Sequence, residues 1–317
     1  MAVSYQIDPE LAPVLELLPR ADLSDPVAAR RLIADLVASM AVDVDESGLD
    51  IDDRLVPGPT GAPEVGVRLY RPTAVPGPVP ALFYIHGGGF VTGSVDTEHA
   101  GAVALAASLR VVVVSVEYRL APEHPFPAGI EDCYCGLLWL AEHAGELGVD
   151  PDRVALYGQS AGGGLAAALA LVARDRGGPP LCFQFLGIPE LDDRLETPSM
   201  RAFTDTPLWN RPSAELSWRY YLGEDPGEVS PYAAPARAED LAGLPPAYVS
   251  TMEFDPIRDE GILYALRLLQ AGVPAELHSF PGTFHGSSLV ASAAVSRRVN
   301  AEQLAVLRRA LRIGGTP

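Results

Sequence analysis

The sequence lacks lysine entirely, and all 23 of its basic residues are arginine. Without lysine the chain cannot hold phosphates as a P-loop does, since that motif needs a lysine side chain. It cannot form a Schiff base with pyridoxal phosphate, nor can it act as an S-x-x-K serine hydrolase. The composition therefore excludes three classes of function before any motif is considered.

Cysteine is scarce as well, with three residues in 317: Cys133, Cys135 and Cys182. Three cysteines do not form a disulfide framework. Cys133 and Cys135 lie two apart in a predicted helix and so do not share a face. The sequence has no H-E-x-x-H motif and no paired Cys/His spacing. We expect three small core or near-core residues, and neither a metal nor a cofactor.

Long apolar runs are missing too, since no segment reaches the roughly 18 residues that a membrane span needs. Residues 1–19 carry acids and prolines rather than the apolar stretch of a signal peptide. The balance of 23 basic against 41 acidic residues, a net charge of −18, opposes binding to nucleic acid or to anionic membranes. We expect a soluble cytoplasmic protein whose partner is a small molecule.

The sequence does contain enough apolar material for a large core, with 48% hydrophobic and 20% charged residues. From residue 80 onward, short apolar runs alternate with helical patterns, which is typical of a parallel sheet with right-handed crossovers. The apolar runs are Pro80–Ile85, Val111–Val116, Val154–Tyr157, Leu181–Ile188, Ala247–Met252 and Ala275–Phe280. Before them, Leu49–Val56 and Val65–Tyr70 predict an antiparallel pair. The pattern predicts an α/β fold with a mostly parallel central sheet flanked by helices.

Two parts of the chain depart from this alternation. Residues 1–47 are predicted to be helical, with one segment over Asp8–Leu18 and a longer helix that Ser24 caps. Residues 190–223 form an insert rich in proline, arginine, aspartate and large aromatic residues. No linker marks a second domain. We therefore predict one domain over residues 1–317, in which these two parts form a helical cap.

The segment Gly158-Gln159-Ser160-Ala161-Gly162 matches G-x-S-x-G, the nucleophile elbow. A strand-like run enters it and a small-residue helical run leaves it, which is the context that this strained turn requires. Ser160 is therefore the candidate nucleophile. A serine hydroxyl is a poor nucleophile by itself, so the chain must also supply a base and oxyanion donors.

A glycine loop, His86-Gly87-Gly88-Gly89-Phe90, directly follows the first buried strand. Consecutive glycines let backbone N–H groups turn inward without interference from side chains. We predict an oxyanion hole formed by the N–H groups of Gly87, Gly88 and Ala161. A dinucleotide-binding loop would need glycine at position 92, where the chain has Thr92.

The acid and the base are predicted after two later strands. Asp255 follows the strand at 247–252 and precedes Pro256, which favours an extended or turn conformation. An alternative is that Asp255 only caps the next helix. His285 lies in a glycine-flanked loop after the last strand, where a positioned imidazole is expected. His278 and His86 are predicted to be structural.

These residues resemble motifs of the hormone-sensitive-lipase family of α/β-hydrolases. The resemblance covers the chain from about residue 60 and rests on His86–Phe90, Glu117–Glu123, Ser160–Gly163, Asp255–Glu260 and His285-Gly286. The order Ser160, Asp255, His285 is also the order of these enzymes. One position departs from the pattern: most members carry Asp before the nucleophile, where this chain has Gln159. A charged contact from there to the glycine loop is lost, although a neutral hydrogen bond remains open.

The resemblance implies an α/β-hydrolase fold and a serine carboxylesterase that needs no cofactor. Its substrates would be acyl esters, such as acetyl esters, with short chains or aromatic alcohols, cleaved through an acyl-enzyme. The resemblance also favours a homodimer. We predict that Phe90, Leu208, Trp209 and Trp218 contact the substrate, although such residues equally often pack inside a cap.

Two alternatives stay open. The first is a small-molecule receptor without catalytic activity, because the same family includes the plant gibberellin receptor, which lacks the catalytic histidine. An amidase is the other, because it would use the same three side chains.

Overall fold

The computed structural model describes residues 5–16, 18, 22–39 and 44–314. One eight-stranded sheet forms its centre. The strands are β1 (Leu49–Val56), β2 (Val65–Pro72), β3 (Val79–Ile85), β4 (Val112–Glu117), β5 (Val149–Gln159), β6 (Phe183–Gly187), β7 (Ala247–Phe254) and β8 (Ala275–Phe284). Their order across the sheet is β1-β2-β4-β3-β5-β6-β7-β8.

The sheet is mostly parallel, as the alternation of strands and helices predicts. β2 pairs antiparallel with both β1 and β4, and every other pair of neighbours is parallel. The apolar runs predicted to be buried form the inner strands β3, β4, β5 and β6, which helices cover on both faces. Parallel strands place their carboxyl ends at one edge of the sheet, and that edge holds the functional residues.

The described part of the chain has nine α-helices. They are α1 (Pro26–Ser39), α2 (His99–Leu109), α3 (Ala128–Glu142), α4 (Ala144–Leu147), α5 (Ala161–Asp175), α6 (Pro198–Ala202), α7 (Arg211–Leu222), α8 (Arg258–Gln270) and α9 (Ala294–Ala310). Helices α2 and α9 pack on one face of the sheet, and α3, α5 and α8 on the other. None of these helices is both long and apolar enough to cross a membrane.

Helix α5 lies at the centre of the larger core. Every residue from Ala161 to Ala173 is buried, because strands, neighbouring helices and loops surround the helix. Its alanines and glycines let neighbouring backbones approach closely. The helix that begins just after Ser160 is thus fixed on all sides.

A row of aromatic side chains crosses four strands on the other face of the sheet. Tyr84, Tyr157, Phe185 and Tyr248 are neighbours in register. Their ring centroids lie 4.8, 5.0 and 4.9 Å apart. The Tyr248 hydroxyl donates to Glu302 of α9 (2.7 Å), so the buried hydroxyl has a partner.

The N-terminal helix predictions are partly wrong. Among the described residues of the segment predicted as a helix over Asp8–Leu18, only a 3₁₀ turn, Ala12–Val14, forms. Helix α1 is capped by Asp25 rather than Ser24, since the Ala28 N–H donates to the Asp25 carboxylate (3.0 Å). The sequence also predicts an apolar stripe on this helix, formed by Leu32, Ile33, Leu36, Val37 and Met40. Of these, Leu32 is exposed, and Met40 lies outside the described residues.

The predicted closing helix begins later than expected. Sequence pattern suggests a start near Ser288, but α9 begins at Ala294 after a 3₁₀ turn at Ser287–Leu289. The Ala294 N–H donates to the Glu10 carboxylate (2.7 Å), which supplies one of the free N–H groups of the helix start with an acceptor. This partner is distant in sequence, so local pattern cannot reveal it.

Acidic side chains in the first turn of α8 accept hydrogen bonds from the backbone of the insert at residues 190–223. The Glu260 carboxylate accepts the N–H groups of Leu191 (2.6 Å) and Asp192 (3.2 Å). The Asp259 carboxylate accepts the N–H of Ser199 (2.8 Å). The insert, which contains α6 and α7, is thereby held next to the carboxyl edge of the sheet.

Burial of α5 predicts a large stability difference between two leucine-to-alanine variants. Leu169 in α5 is 0% exposed, whereas Leu266 in α8 is 48% exposed. We expect Leu169→Ala to lower the free energy of unfolding by about 2–5 kcal/mol, because it leaves a cavity in the core. Leu266→Ala serves as the control and should change it by less than about 0.5 kcal/mol. Urea unfolding measures both, and equal losses would contradict this packing.

Candidate active site

Ser160 stands at the sharp turn between β5 and α5. Its backbone has φ 56° and ψ −126°, which a non-glycine residue adopts only when the surroundings hold it there. The Ser160 N–H donates to the carbonyl of Gly187 (2.8 Å). Its carbonyl accepts the N–H groups of Gly164 (3.0 Å) and Glu190 (3.1 Å). Three hydrogen bonds thus offset the strain at the nucleophile elbow.

The elbow also needs a residue without a side chain at position 162. A Cβ atom built on Gly162 would lie 2.1 Å from the carbonyl oxygen of Ile85, the last residue of β3. This close approach brings α5 against the start of the glycine loop. The G-x-S-x-G motif therefore joins the elbow to the neighbouring strand.

Ser160, His285 and Asp255 form a continuous chain of hydrogen bonds. The Ser160 Oγ lies 3.0 Å from the His285 Nε2, and the His285 Nδ1 lies 2.7 Å from the Asp255 Oδ2. A carboxylate accepts, so the Nδ1 carries the proton and the Nε2 is free to accept from the Ser160 hydroxyl. The arrangement can remove the serine proton as the oxygen attacks.

Asp255 makes both of the contacts that sequence reasoning treated as alternatives. Its Oδ2 contacts His285, while its Oδ1 accepts the N–H of Ile257 (3.1 Å) at the start of α8. The side chain is fully buried, and the bond to Ile257 fixes its orientation. A single carboxylate thus orders the helix start and orients the imidazole.

The end of β8, just before His285, is held by hydrogen bonds from two other segments. The Gly282 N–H donates to the Glu253 carboxylate (2.6 Å), and the Gly282 carbonyl accepts the N–H of Asp8 (2.9 Å). Sequence reasoning assigns no such role to Glu253 or Asp8. The position of Glu253 at the end of β7 is a signal for the first contact, whereas nothing local indicates the second.

The predicted oxyanion donors lie beside Ser160. A Cβ atom built on Gly87 would lie 3.6 Å from the Ser160 Cβ. Gly88 has φ +115°, and a Cβ there would lie 2.2 Å from the Thr92 carbonyl oxygen, so the turn requires glycine. The N–H groups of Gly87, Gly88 and Ala161 donate to no other described residue. They are thus available for a substrate oxygen.

His86 holds the shape of the glycine loop. It is fully buried, its Nδ1 donates to the Gly87 carbonyl (2.8 Å), and its ring stacks on Tyr118 with centroids 4.1 Å apart. Burial lowers the pKa of His86 to about 4. The imidazole is therefore neutral at physiological pH, in agreement with the structural role predicted from the sequence.

Two of the four predicted substrate-contacting residues lie next to the triad formed by Ser160, His285 and Asp255. The Trp209 ring centroid is 5.7 Å from that of His285. The far edge of the same ring covers Gly89 of the glycine loop, 2.6 Å from where a Cβ would stand. The Leu208 side chain contacts Gly286, 3.2 Å from its Cβ position.

Phe90 and Trp218 lie instead in the packing between the glycine loop and α7. Phe90 stacks on Tyr221 at 4.0 Å, and Trp218 contacts Phe90 at 5.4 Å. Both side chains are 2% exposed. Their surroundings match the alternative that sequence reasoning left open, which is packing within the cap.

The Gln159 side chain makes no hydrogen bond to the glycine loop, although its backbone carbonyl oxygen lies 3.0 Å from where a Cβ on Gly87 would stand. Its amide donates to the Tyr157 hydroxyl (2.7 Å) and lies 3.5 Å from the Gln303 side chain of α9. The residue that departs from the family pattern therefore joins the end of β5 to the opposite layer of helices. The neutral hydrogen bond to the glycine loop that was left open is not formed.

Sequence reasoning did not single out Glu190, which lies just after β6 at the same edge of the sheet. The side chain is fully buried, and its Oε1 lies 3.1 Å from the Ser217 Oγ of α7. Burial raises the pKa of Glu190 to about 8. Its place after the predicted strand Leu181–Ile188 is the signal that could have found it.

The described part of the chain contains no group of three His, Cys, Asp or Glu side chains placed to bind a metal ion. The cysteines are free, with Cys133 buried and Cys135 and Cys182 partly buried. Burial raises the pKa of the Cys182 thiol to about 11. The three residues are core or near-core thiols, as predicted.

Comparison with solved structures identifies proteins of the same fold. The chain superposes on a bacterial heroin esterase with a TM-score of 0.95 and 57% sequence identity, over 97% of this chain and 98% of the other. A family model described as an alpha/beta hydrolase fold matches residues 82–289.

Curated relatives carry esterase names. The carboxylesterase NlhH of Mycobacterium tuberculosis is 44% identical over 271 residues, which is 83% of each chain. Esterase LipI of the same species is 41% identical over 285 residues, 88% of this chain and 87% of the relative. The chain belongs to the hormone-sensitive-lipase family of α/β-hydrolases and is a carboxylic ester hydrolase.

Proposed function

We propose that the protein is a serine esterase that cleaves short-chain acyl esters, including those of aromatic alcohols, through an acyl-enzyme. The observation that carries the proposal is the hydrogen-bond chain Ser160–His285–Asp255 beside backbone N–H groups with no other described acceptor. Each component of serine ester hydrolysis has a candidate at this edge of the sheet.

The reaction follows from the geometry. The Ser160 Oγ attacks the acyl carbon while His285 takes its proton at Nε2, and Asp255 stabilises the imidazolium that forms. The N–H groups of Gly87, Gly88 and Ala161 stabilise the oxyanion of the tetrahedral intermediate. His285 then protonates the leaving alcohol. Water attacks the acyl-enzyme by the same steps and releases the acid.

Replacement of the nucleophile tests this assignment. Ser160→Ala should lower kcat for p-nitrophenyl acetate by at least about 10⁴-fold, because no other group takes over the attack. Ser115→Ala is a matched control: Ser115 is another buried serine, in β4, and its hydroxyl has no partner among the described residues. We expect near-normal kcat for the control. Circular dichroism should confirm that both variants fold.

Covalent labelling provides the second readout of the same assignment. A fluorophosphonate should add one label to the unmodified protein, at Ser160, and none to Ser160→Ala. Full turnover by Ser160→Ala, or labelling elsewhere, contradicts the proposed nucleophile.

The substrate size is proposed from the position of Trp209 and Leu208. These side chains lie against the triad and the glycine loop, so they leave limited room for a long acyl chain. The name of the related heroin esterase adds support, since heroin is an acetyl ester. We therefore propose a preference for short acyl groups.

A series of p-nitrophenyl esters tests this preference. Unmodified protein should have its highest kcat/KM at acetate to butyrate, and Trp209→Ala should raise the octanoate-to-acetate ratio about 10-fold by opening the pocket. Trp139→Ala is the matched control, because Trp139 is also 8% exposed but lies in α3, away from the triad. An unchanged ratio in Trp209→Ala, or a preference of the unmodified protein for long chains, contradicts the proposal.

The two alternatives receive less support. A silent receptor would not need His285 at hydrogen-bond distance from an aligned Ser160. An amidase would use the same three side chains, so the triad does not separate esters from amides. The relatives' names favour esters.

We also propose that α1 and the insert at 190–223 act as one cap within a single domain. Arg30 of α1 donates to the carbonyls of Val91 (2.7 Å) and Ala121 (2.8 Å), next to the glycine loop. Ser217 of α7 reaches the Gly89 carbonyl (2.9 Å). Helix α7 therefore contacts the glycine loop, and α1 contacts Val91, which directly follows that loop. This closeness supports their joint role.

A homodimer and a cytoplasmic location stay predictions. Four exposed leucines support the dimer. They lie on β8, which is the outermost strand of the sheet, and on the neighbouring helix α8: Leu263, Leu266, Leu269 and Leu277. An exposed apolar group of this kind supports association of two copies.

A further inference from the structure

Glu190 is the least satisfied acid at the carboxyl edge of the sheet. Its backbone N–H donates to the Ser160 carbonyl (3.1 Å), so the residue is part of the elbow's support. Its carboxyl group is fully buried, and among the described residues only Ser217 is its hydrogen-bond partner. The second oxygen, Oε2, has no partner in that part of the chain. An ionised carboxylate in such a place would carry a large desolvation cost.

The Ser217 hydroxyl has two neighbours that compete for one proton. Its Oγ lies 2.9 Å from the Gly89 carbonyl oxygen and 3.1 Å from the Glu190 Oε1. A carbonyl oxygen and an ionised carboxylate can only accept, and a hydroxyl donates a single proton. With Glu190 ionised, one of these contacts would hold two oxygens together without a proton between them. With Glu190 protonated, both contacts become hydrogen bonds.

We propose that Glu190 is a protonated positioning residue: its carboxyl O–H donates to Ser217, whose O–H in turn donates to the Gly89 carbonyl and fixes the oxyanion loop. This inference deepens the proposed function and rests on it. Loss of the proton would turn Glu190 into an acceptor that competes with Gly89 for the Ser217 proton. The glycine loop would lose its anchor to α7, and the N–H groups of Gly87 and Gly88 would lose their fixed position.

The charges around Glu190 favour the protonated form. Three titratable side chains face it from other elements: Asp255 at the end of β7, Glu260 in α8 and Tyr221 in α7. None of them is a cation. Burial, and to a smaller extent the charge of Asp255, raise the pKa of Glu190 to about 8. Ionisation is thus expected in mildly alkaline solution.

The test is the pH profile of kcat/KM from about pH 5 to pH 10, corrected for spontaneous hydrolysis of p-nitrophenyl butyrate. The unmodified protein should lose activity above about pH 8, by about 10-fold per pH unit if positioning depends fully on the proton. Glu190→Gln keeps a donor at every pH, because its amide group can donate to Ser217. We expect activity within about three-fold of the unmodified protein at pH 7 and no loss centred near pH 8.

Glu260→Gln is the matched control. Glu260 is a neighbouring buried acid whose pKa burial also raises, but its Oε1 accepts the N–H groups of Leu191 and Asp192, and among the described residues it has no hydrogen bond to Ser217. A glutamine oxygen can accept the same bonds, so this variant should keep the alkaline loss. The proposal is overturned if Glu190→Gln still loses activity near pH 8, or if the unmodified protein does not lose it.

Ser217→Ala keeps the test valid if Glu190→Gln does not fold. This variant removes the link between Glu190 and Gly89, so kcat should fall at pH 7 and the loss near pH 8 should disappear. The proposal would also be overturned if Ser217→Ala showed the same loss of activity above pH 8 as the unmodified protein.

Urea unfolding tests the protonation state of Glu190 independently of esterase activity. A folded pKa near 8 against an ordinary value of 4.5 means that the unfolded chain releases the proton first. The unmodified protein should therefore lose stability relative to Glu190→Gln as pH rises from about 4.5 to 8, and the difference should then level off. A pH-independent difference overturns the protonated state. Absence of esterase activity at every pH would instead contradict the proposed function, and the two failures are thus distinct.

Discussion

The hydrogen bonds that hold the backbone of Ser160 are the constraint on which the rest of the site depends. A serine at φ 56° is strained, and it keeps that conformation because Gly187, Gly164 and Glu190 bind its amide and carbonyl groups. Two of these residues lie at or after the end of β6, so the parallel pairing of β5 and β6 fixes the nucleophile. The glycine loop, Asp255 and His285 reach Ser160 only because their strands end at the same edge of the sheet.

The triad could be predicted from sequence because its signals are local. Glycines at an elbow, an aspartate before a proline and a histidine between glycines each follow a recognisable apolar strand, and strand order brings them together. Contacts between distant segments could not be predicted in this way. The bond between Asp8 and Gly282, and the pair formed by Glu190 and Ser217, join residues whose own neighbourhoods carry no sign of the partner. The cap of α1 is a different, local ambiguity: Ser24 and Asp25 are adjacent, both are good capping residues, and the structure uses Asp25.

Acidic side chains perform three separate tasks around the site. Asp255 orients the imidazole, and Glu260 and Asp259 attach the insert through backbone N–H groups. Glu190 has neither a cation nor a backbone donor, which sets it apart from the others. Burial raises the pKa of both Glu190 and Glu260, so it is the contact with Ser217, rather than burial, that distinguishes Glu190.

The tryptophans are concentrated on one side of the sheet. The tyrosines of the row across β3, β5 and β7 lie on one face of the sheet, whereas all three tryptophans, Trp139, Trp209 and Trp218, belong to the core on the other face. Fluorescence excited at the red edge of the absorption band therefore reports on the insert and α3, and the Trp209 ring centroid lies 5.7 Å from that of His285. Tyrosines lie in both cores, since Tyr118, Tyr221 and Tyr264 share the core of the tryptophans. Tryptophan fluorescence is thus the intrinsic probe that can follow loosening of the insert and α3.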